Sequence, residues 1–130
     1  MCMLSYLACI VLLMVVDAPY LYTNSKMYEK KTIAVSGKTF TKRYYSAVIV
    51  YLALALGIVF LALPRMRKNS LKNRATDAIL YGGVFGLASY ATFDFTMHFM
   101  FEDWDLGVSI MDSVWGGILC SIVAFVTSYV

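Results

Sequence analysis

Charge is what this 130-residue chain has least of: Asp, Glu, Lys and Arg make up 15% of it, against 61% hydrophobic residues. A soluble domain carries about 25% charged and about 45–50% apolar residues. A mean hydropathy of +0.71 carries the same message, and together the two figures exclude an ordinary soluble fold. Histidine occurs once, at His98, which with scattered Asp is no metal signature. Cysteine occurs three times, at Cys2, Cys9 and Cys120, always inside an apolar run. An odd number of thiols in such places argues against a disulfide framework and for small packing residues. There is no Gly-rich phosphate loop, no nucleophile elbow, no Cys pair at zinc spacing and no Asn-x-Ser/Thr acceptor. These absences leave no catalytic or cofactor-binding residues to name, no metal and no cofactor.

What is there comes in blocks. Four apolar runs, residues 3–22, 44–63, 78–101 and 106–129, each reach the roughly 20 residues that a helix needs to cross a bilayer. Continuous runs rule out the alternating segments of a membrane barrel, and a bilayer interior admits only helices or closed barrels. The fold expected is all-α: a four-transmembrane-helix bundle in one membrane domain spanning 1–130. Pro64 closes the second run, since proline breaks the helical hydrogen-bond ladder. All eleven Lys and Arg lie outside the runs. The first run has no basic segment before it and no small-residue cleavage site after it, so it reads as an uncleaved anchor.

The connections differ in character. Residues 23–43 carry Lys26, Lys30, Lys31, Lys38, Lys42 and Arg43 against Glu29 alone, and residues 32–40 alternate around Ser36-Gly37 as a short hairpin would. The second, 65–77, carries Arg65, Arg67, Lys68, Lys72 and Arg74, and the third is the acidic turn Glu102-Asp103-Trp104-Asp105. Four spans put both termini and the second connection on one side, with the other two connections opposite. Six basic residues then face five, so positive-inside counting assigns no orientation. Trp104, Tyr20 and Tyr22 read as interfacial belt aromatics. The basic loops read as topology determinants and lipid head-group contacts, not as a nucleic-acid surface.

Three carboxylates, Asp17, Asp94 and Asp112, lie within the runs, where acids usually face the bundle interior or water. Counted from the near ends of the runs at about 1.5 Å per residue, all three fall in one layer on the order of 8–10 Å deep. Gly82, Gly86, Tyr90, Asp94 and His98 recur every fourth residue on one helix face. The Gly82-x-x-x-Gly86 pair admits close approach of a neighbouring helix. On this face Tyr90 and His98 are placed to pair with Asp94. Asp112, Gly116 and Cys120 make a similar stripe beside Trp115. The candidate polar cluster is Asp17, Tyr90, Asp94, Thr96, His98, Asp112 and Trp115. It reads as a hydrogen-bonded staple that fixes the bundle, which is preferred, or else as a proton or cation site or, third, as the catalytic acid pair of an intramembrane enzyme.

The stretch Gly86-Leu87-Ala88-Ser89-Tyr90-Ala91-Thr92-Phe93-Asp94-Phe95-Thr96 and the later Asp112-Ser113-Val114-Trp115-Gly116 resemble an uncharacterised family of small four-helix membrane proteins (domain of unknown function 2177). Asp17, Tyr51, Gly57, Phe60 and Pro64 extend the resemblance over nearly the whole chain. Phe93 stands where the family usually has Tyr, His98 is outside the pattern, and Pro19-Tyr20 replaces the usual aromatic-Leu pair. The resemblance implies a four-helix membrane bundle and an occurrence in bacteria and large DNA viruses. The expected function is a non-enzymatic structural or assembly component of a membrane, with the internal membrane of a large DNA virus particle as its home. The expected partners are the lipid bilayer and the capsid or other membrane proteins of an assembly, as a homo- or hetero-oligomer. A small proton or cation transporter working through the acid layer is the rival.

Overall fold

The first helix does not stop where its apolar run does. In the computed structural model, which describes residues 3–36 and 44–130, α1 runs from Met3 to Ser36 without a break. The expected loop at 23–36 is therefore helix, and so is the first half of the expected hairpin at 32–40; its second half lies outside the described residues. Pro19 sits inside α1 and removes one backbone donor without ending the helix. Tertiary docking outweighs that loss, because residues on both sides of Pro19 are pinned to another helix: Asp17 by a hydrogen bond and Tyr20 by ring stacking. Proline is tolerated in membrane helices where neighbours support the backbone in this way.

The second rod is α2, Tyr44–Gly57, continued by a π-helical turn, Ile58–Ala62, and a 3-10 turn, Leu63–Arg65. Pro64 stands in that last turn, and the chain leaves the helical region at Met66. The third rod begins earlier than its apolar run. It comprises α3, Leu71–Asp77, a π-helical turn, Ala78–Gly83, and α4, Val84–Met100. Ser70 caps its start by accepting a hydrogen bond from the Asn73 N–H at 3.1 Å, the usual service of a serine at that position. The fourth rod, α5, spans Leu106–Thr127, and Asp105 caps it by accepting from the Val108 N–H at 3.1 Å. A π turn holds one extra residue per turn and re-aims the helix beyond it. The two π turns touch each other, so the second and third rods are adjusted together.

Three of these helices, Met3–Lys30, Tyr45–Arg65 and Leu106–Thr127, are long and apolar enough to cross a membrane. The outer surface agrees with that solvent. On α5, Ile110, Val114, Ile118, Ile122 and Val126 step every fourth residue along an exposed face, as do Leu7, Val11 and Val15 on α1. Such a stripe suits acyl chains and would aggregate in water. The core between the rods holds Cys9, Leu13, Ile58, Val59, Leu119, Cys120, Val123 and Ala124, all essentially inaccessible. Small residues let the third and fourth rods meet closely. A Cβ on Gly86 would lie 2.1 Å from the Gly116 carbonyl oxygen, and one on Gly116 would enter the Tyr90 ring.

Ser5, Leu63, Lys68 and residues 127–130 line one cavity, so the first and last described residues share an end of the bundle. At that end, outside the apolar core, Arg67 closes the corner between the second and third rods. Its backbone N–H and Nε donate to Asp77 Oδ2 at 2.7 and 3.0 Å, and its Nη2 donates to Oδ1 at 3.0 Å. These bonds hold the Asp77 carboxyl below its ordinary value of 3.8 and push the Arg67 guanidinium higher still. A carboxyl depressed in the folded state contributes stability that is complete above its unfolded value and disappears as pH falls through its folded one. Asp77→Asn is therefore expected to lower the thermal midpoint in detergent at neutral pH, with the gap to wild type closing below pH 3.8. A gap that stayed constant down to acid pH would show that the ion pair contributes nothing.

Candidate functional site

The rods bring the embedded acids together in two tiers rather than one layer. Asp17, 5% exposed on α1, has both carboxyl oxygens occupied. Trp115 Nε1 donates to its Oδ1 at 2.7 Å, and the Tyr51 hydroxyl donates to its Oδ2 at 2.6 Å. One side chain thus ties α1 to α5 and to α2. The second tier lies about one turn nearer the 101–106 connection, since Asp112 precedes Trp115 on α5 by three positions. There Asp94, 1% exposed, faces Asp112 within hydrogen-bonding reach. Asp112 Oδ1 accepts from the Tyr28 hydroxyl at 3.0 Å, and the Tyr28 and Tyr20 hydroxyls share a hydrogen bond of 2.6 Å. The single layer expected from the sequence placed Asp17 too shallow, because that count ended α1 at residue 22 and the helix continues to Ser36.

Tyr20, expected at the lipid interface, instead stacks flat on Trp115, ring centroids 4.6 Å apart and planes 8° from parallel. Its position on α1 makes it the side wall of both tiers. Tyr90 lays its ring against Gly116, which has no side chain to obstruct it and stands on α5 between the Trp115 and Cys120 positions, one turn from Asp112. Asp17, Tyr90, Asp94, Asp112 and Trp115 are therefore gathered. Thr96 and His98 are not. The Thr96 hydroxyl donates to the Thr92 carbonyl of its own helix, and the His98 Nδ1 pairs with the Trp104 carbonyl oxygen at 2.8 Å in the acidic turn. The turn is held further by the Trp104 Nε1, which donates to the Ser109 hydroxyl at 2.9 Å.

The cluster as built has three members that the residue count did not include: Tyr20, Tyr28 and Tyr51. Tyr28 stands beyond the first apolar run, in a stretch whose lysines made it read as loop. The one available signal was the spacing of Tyr20, Asn24 and Tyr28 at four residues, a helical face in a polar segment. Chemically the site is a set of oxygen acceptors met by phenol and indole donors. Among the described residues no group of three or more His, Cys, Asp or Glu is arranged to hold a metal ion.

A family described as "Predicted membrane protein (DUF2177)" matches residues 2–129. The chain belongs to this family. No curated protein and no solved structure matches it. Family membership fixes the chain as a membrane protein, in keeping with the lipid-suited stripes of α1 and α5.

Proposed function

We propose that this member of the family is a non-enzymatic structural component of a membrane assembly, crossing the bilayer four times with both ends of the described chain on one side. The observation that carries this reading is Asp17. Both of its oxygens are occupied by donors from two other rods, which is what a fastener requires. Buried polar groups that are fully satisfied rigidify a bundle and fix its register. The third rod counts as the fourth span because Leu71–Met100 is continuous helix and Ile79, Leu80, Val84 and Leu87 are exposed along it. Labelling of single cysteines at 5 and 130 from opposite faces would end the four-span reading. The proposed home, the internal membrane of a large virus particle beneath its capsid, rests on the sequence resemblance. It also suits a bundle whose described residues leave so little chain outside the rods.

A second reading, a small proton or cation transporter, draws on one observation: the Asp94 Oδ2 accepts no hydrogen bond from a described residue. The two readings part in liposomes loaded with a pH-sensitive dye. The structural reading expects no proton or cation flux above protein-free vesicles in wild type, Asp94→Asn or Asp112→Asn. It also expects the two variants to keep their assembly, because an amide still donates and accepts. Flux in wild type that both variants lose at equal protein levels would replace the structural reading with the transporter.

A further inference from the structure

Asp94 and Asp112 face each other within hydrogen-bonding reach, and Asp94 is 1% exposed. A carboxylate only accepts hydrogen bonds, so two carboxyls can bond to one another only if one carries a proton. The same proton would satisfy Asp94 Oδ2, the buried oxygen that no described donor reaches. It would also relieve two negative charges held in contact, one of them shut away from water, where repulsion is strongest. We propose that the Asp94–Asp112 carboxyl pair is a binding site for one exchangeable proton, reached from a single face of the bundle through the hydroxyl of Tyr28.

The surroundings fit a proton better than a larger cation. The groups around the pair are Tyr28 of α1, which donates to Asp112, and Tyr20, linked to Tyr28; Tyr90 of α4 lies against Gly116 of α5, while Tyr51 of α2 and the Trp115 indole of α5 are engaged with Asp17 deeper in the bundle. His98, one turn from Asp94, is engaged with the acidic turn. The Tyr28 hydroxyl, half-buried, donates to Asp112 and is linked to the Tyr20 hydroxyl deeper on α1; Tyr28, eight residues further along that helix, is the donor that reaches the pair from the 101–106 end of the bundle. Uptake through it balances simply. A hydronium ion gives its proton to the Tyr28 oxygen as the Tyr28 hydroxyl proton passes to Asp112 Oδ1, leaving water and an unchanged phenol. In the opposite direction Leu13, Ile58, Leu119 and Val123 are packed without exposure, so the proton returns the way it came. The site is then a proton-responsive joint between the third and fourth rods, compatible with the structural role and independent of it.

Infrared difference spectroscopy of the full chain in lipid nanodiscs tests this directly. Wild type is expected to show a protonated-carboxyl C=O band that titrates as one proton per chain and disappears in both Asp94→Asn and Asp112→Asn. In Asp17→Asn the band is expected to persist. Tyr28→Phe is expected to keep the band but slow its hydrogen–deuterium exchange by on the order of a hundredfold, the scale on which a positioned proton donor acts. If the amide variants fail to fold, Asp94→Glu, which keeps the acid, should shift the band without removing it. No such band in wild type, or one that survives both amide variants, overturns the proposal. So does a band displaced by sodium chloride but not by choline chloride, which would make the site one for a metal cation. Proton flux across liposomes would overturn the single-face access and, separately, the structural reading; the band alone leaves that reading standing.

Discussion

Gly86→Ala is expected to cost about 3 kcal/mol of bundle stability, the upper end of the usual overpacking range. The alanine Cβ would arrive 2.1 Å from the Gly116 carbonyl oxygen and 2.7 Å from the Cys120 Cβ. A flexible side chain could yield to such a clash, but a backbone carbonyl on a packed helix cannot. The third and fourth rods must therefore separate by enough to admit a methyl group, and the separation travels along the seam. Gly82 meets the Ala124 Cβ and the Cys120 carbonyl in the same way one turn earlier, so the contact has no slack to give. Between membrane helices this close packing is a main source of association, because lipid removes the hydrophobic drive that would otherwise push them together. The measurement is a denaturation midpoint in detergent, with Gly107→Ala as the control. At 107 a Cβ would meet only the Asp105 Oδ1, at 3.0 Å, and the change should fall within about 0.5 kcal/mol of wild type. Equal stability of Gly86→Ala and wild type would mean that the two rods are not seated as described.

Asp17→Ala is expected to cost about 1–3 kcal/mol, because it strips an acceptor from two buried donors at once. The Trp115 Nε1–H and the Tyr51 hydroxyl both end on that carboxyl. In an apolar interior neither finds a replacement without a rotation that would also unseat the Tyr20–Trp115 stack. Asp17→Asn separates acceptor from charge. One amide oxygen still accepts, while the amide nitrogen meets a donor head-on, so an intermediate loss is expected. The indole reports directly: its emission should shift in Asp17→Ala and less in Asp17→Asn, in step with the denaturation midpoints. Full stability in Asp17→Ala would remove the fastener on which the structural function rests.

Part of this arrangement could be read from the residues alone. Rods governed by hydropathy and by strong punctuation were legible: Pro64 marked a real end, and the Gly82-x-x-x-Gly86 pair marked a real seam. The burial of Asp17 and Asp94 was legible too, because acids in apolar runs have few places to go. The extension of α1 to Ser36 was not. Lysines at 26, 30 and 31 read as a loop, whereas Tyr20 and Tyr28 dock that stretch onto α5, and contacts between distant residues are invisible to local patterns. His98 failed for the opposite reason: its four-residue spacing from Asp94 was real, but the Trp104 carbonyl in the turn beyond was the nearer partner.

The Arg67–Asp77 corner bears on the order in which the molecule can be assembled. Its partners are ten residues apart, so the loop it closes is short and the second and third rods can join as a hairpin as soon as both exist. The Trp115–Asp17 bond spans 98 residues and must wait until the last rod has emerged. Contacts so distant in sequence form late, since the intervening chain has first to be brought together. The corner therefore sets an early, local step and the carboxyl fastener a final one, so a chain damaged at Asp17 would complete its central hairpin on time and be slowed at the docking of its first helix, which the Tyr28–Asp112 bond and the Tyr20–Trp115 stack would then hold alone.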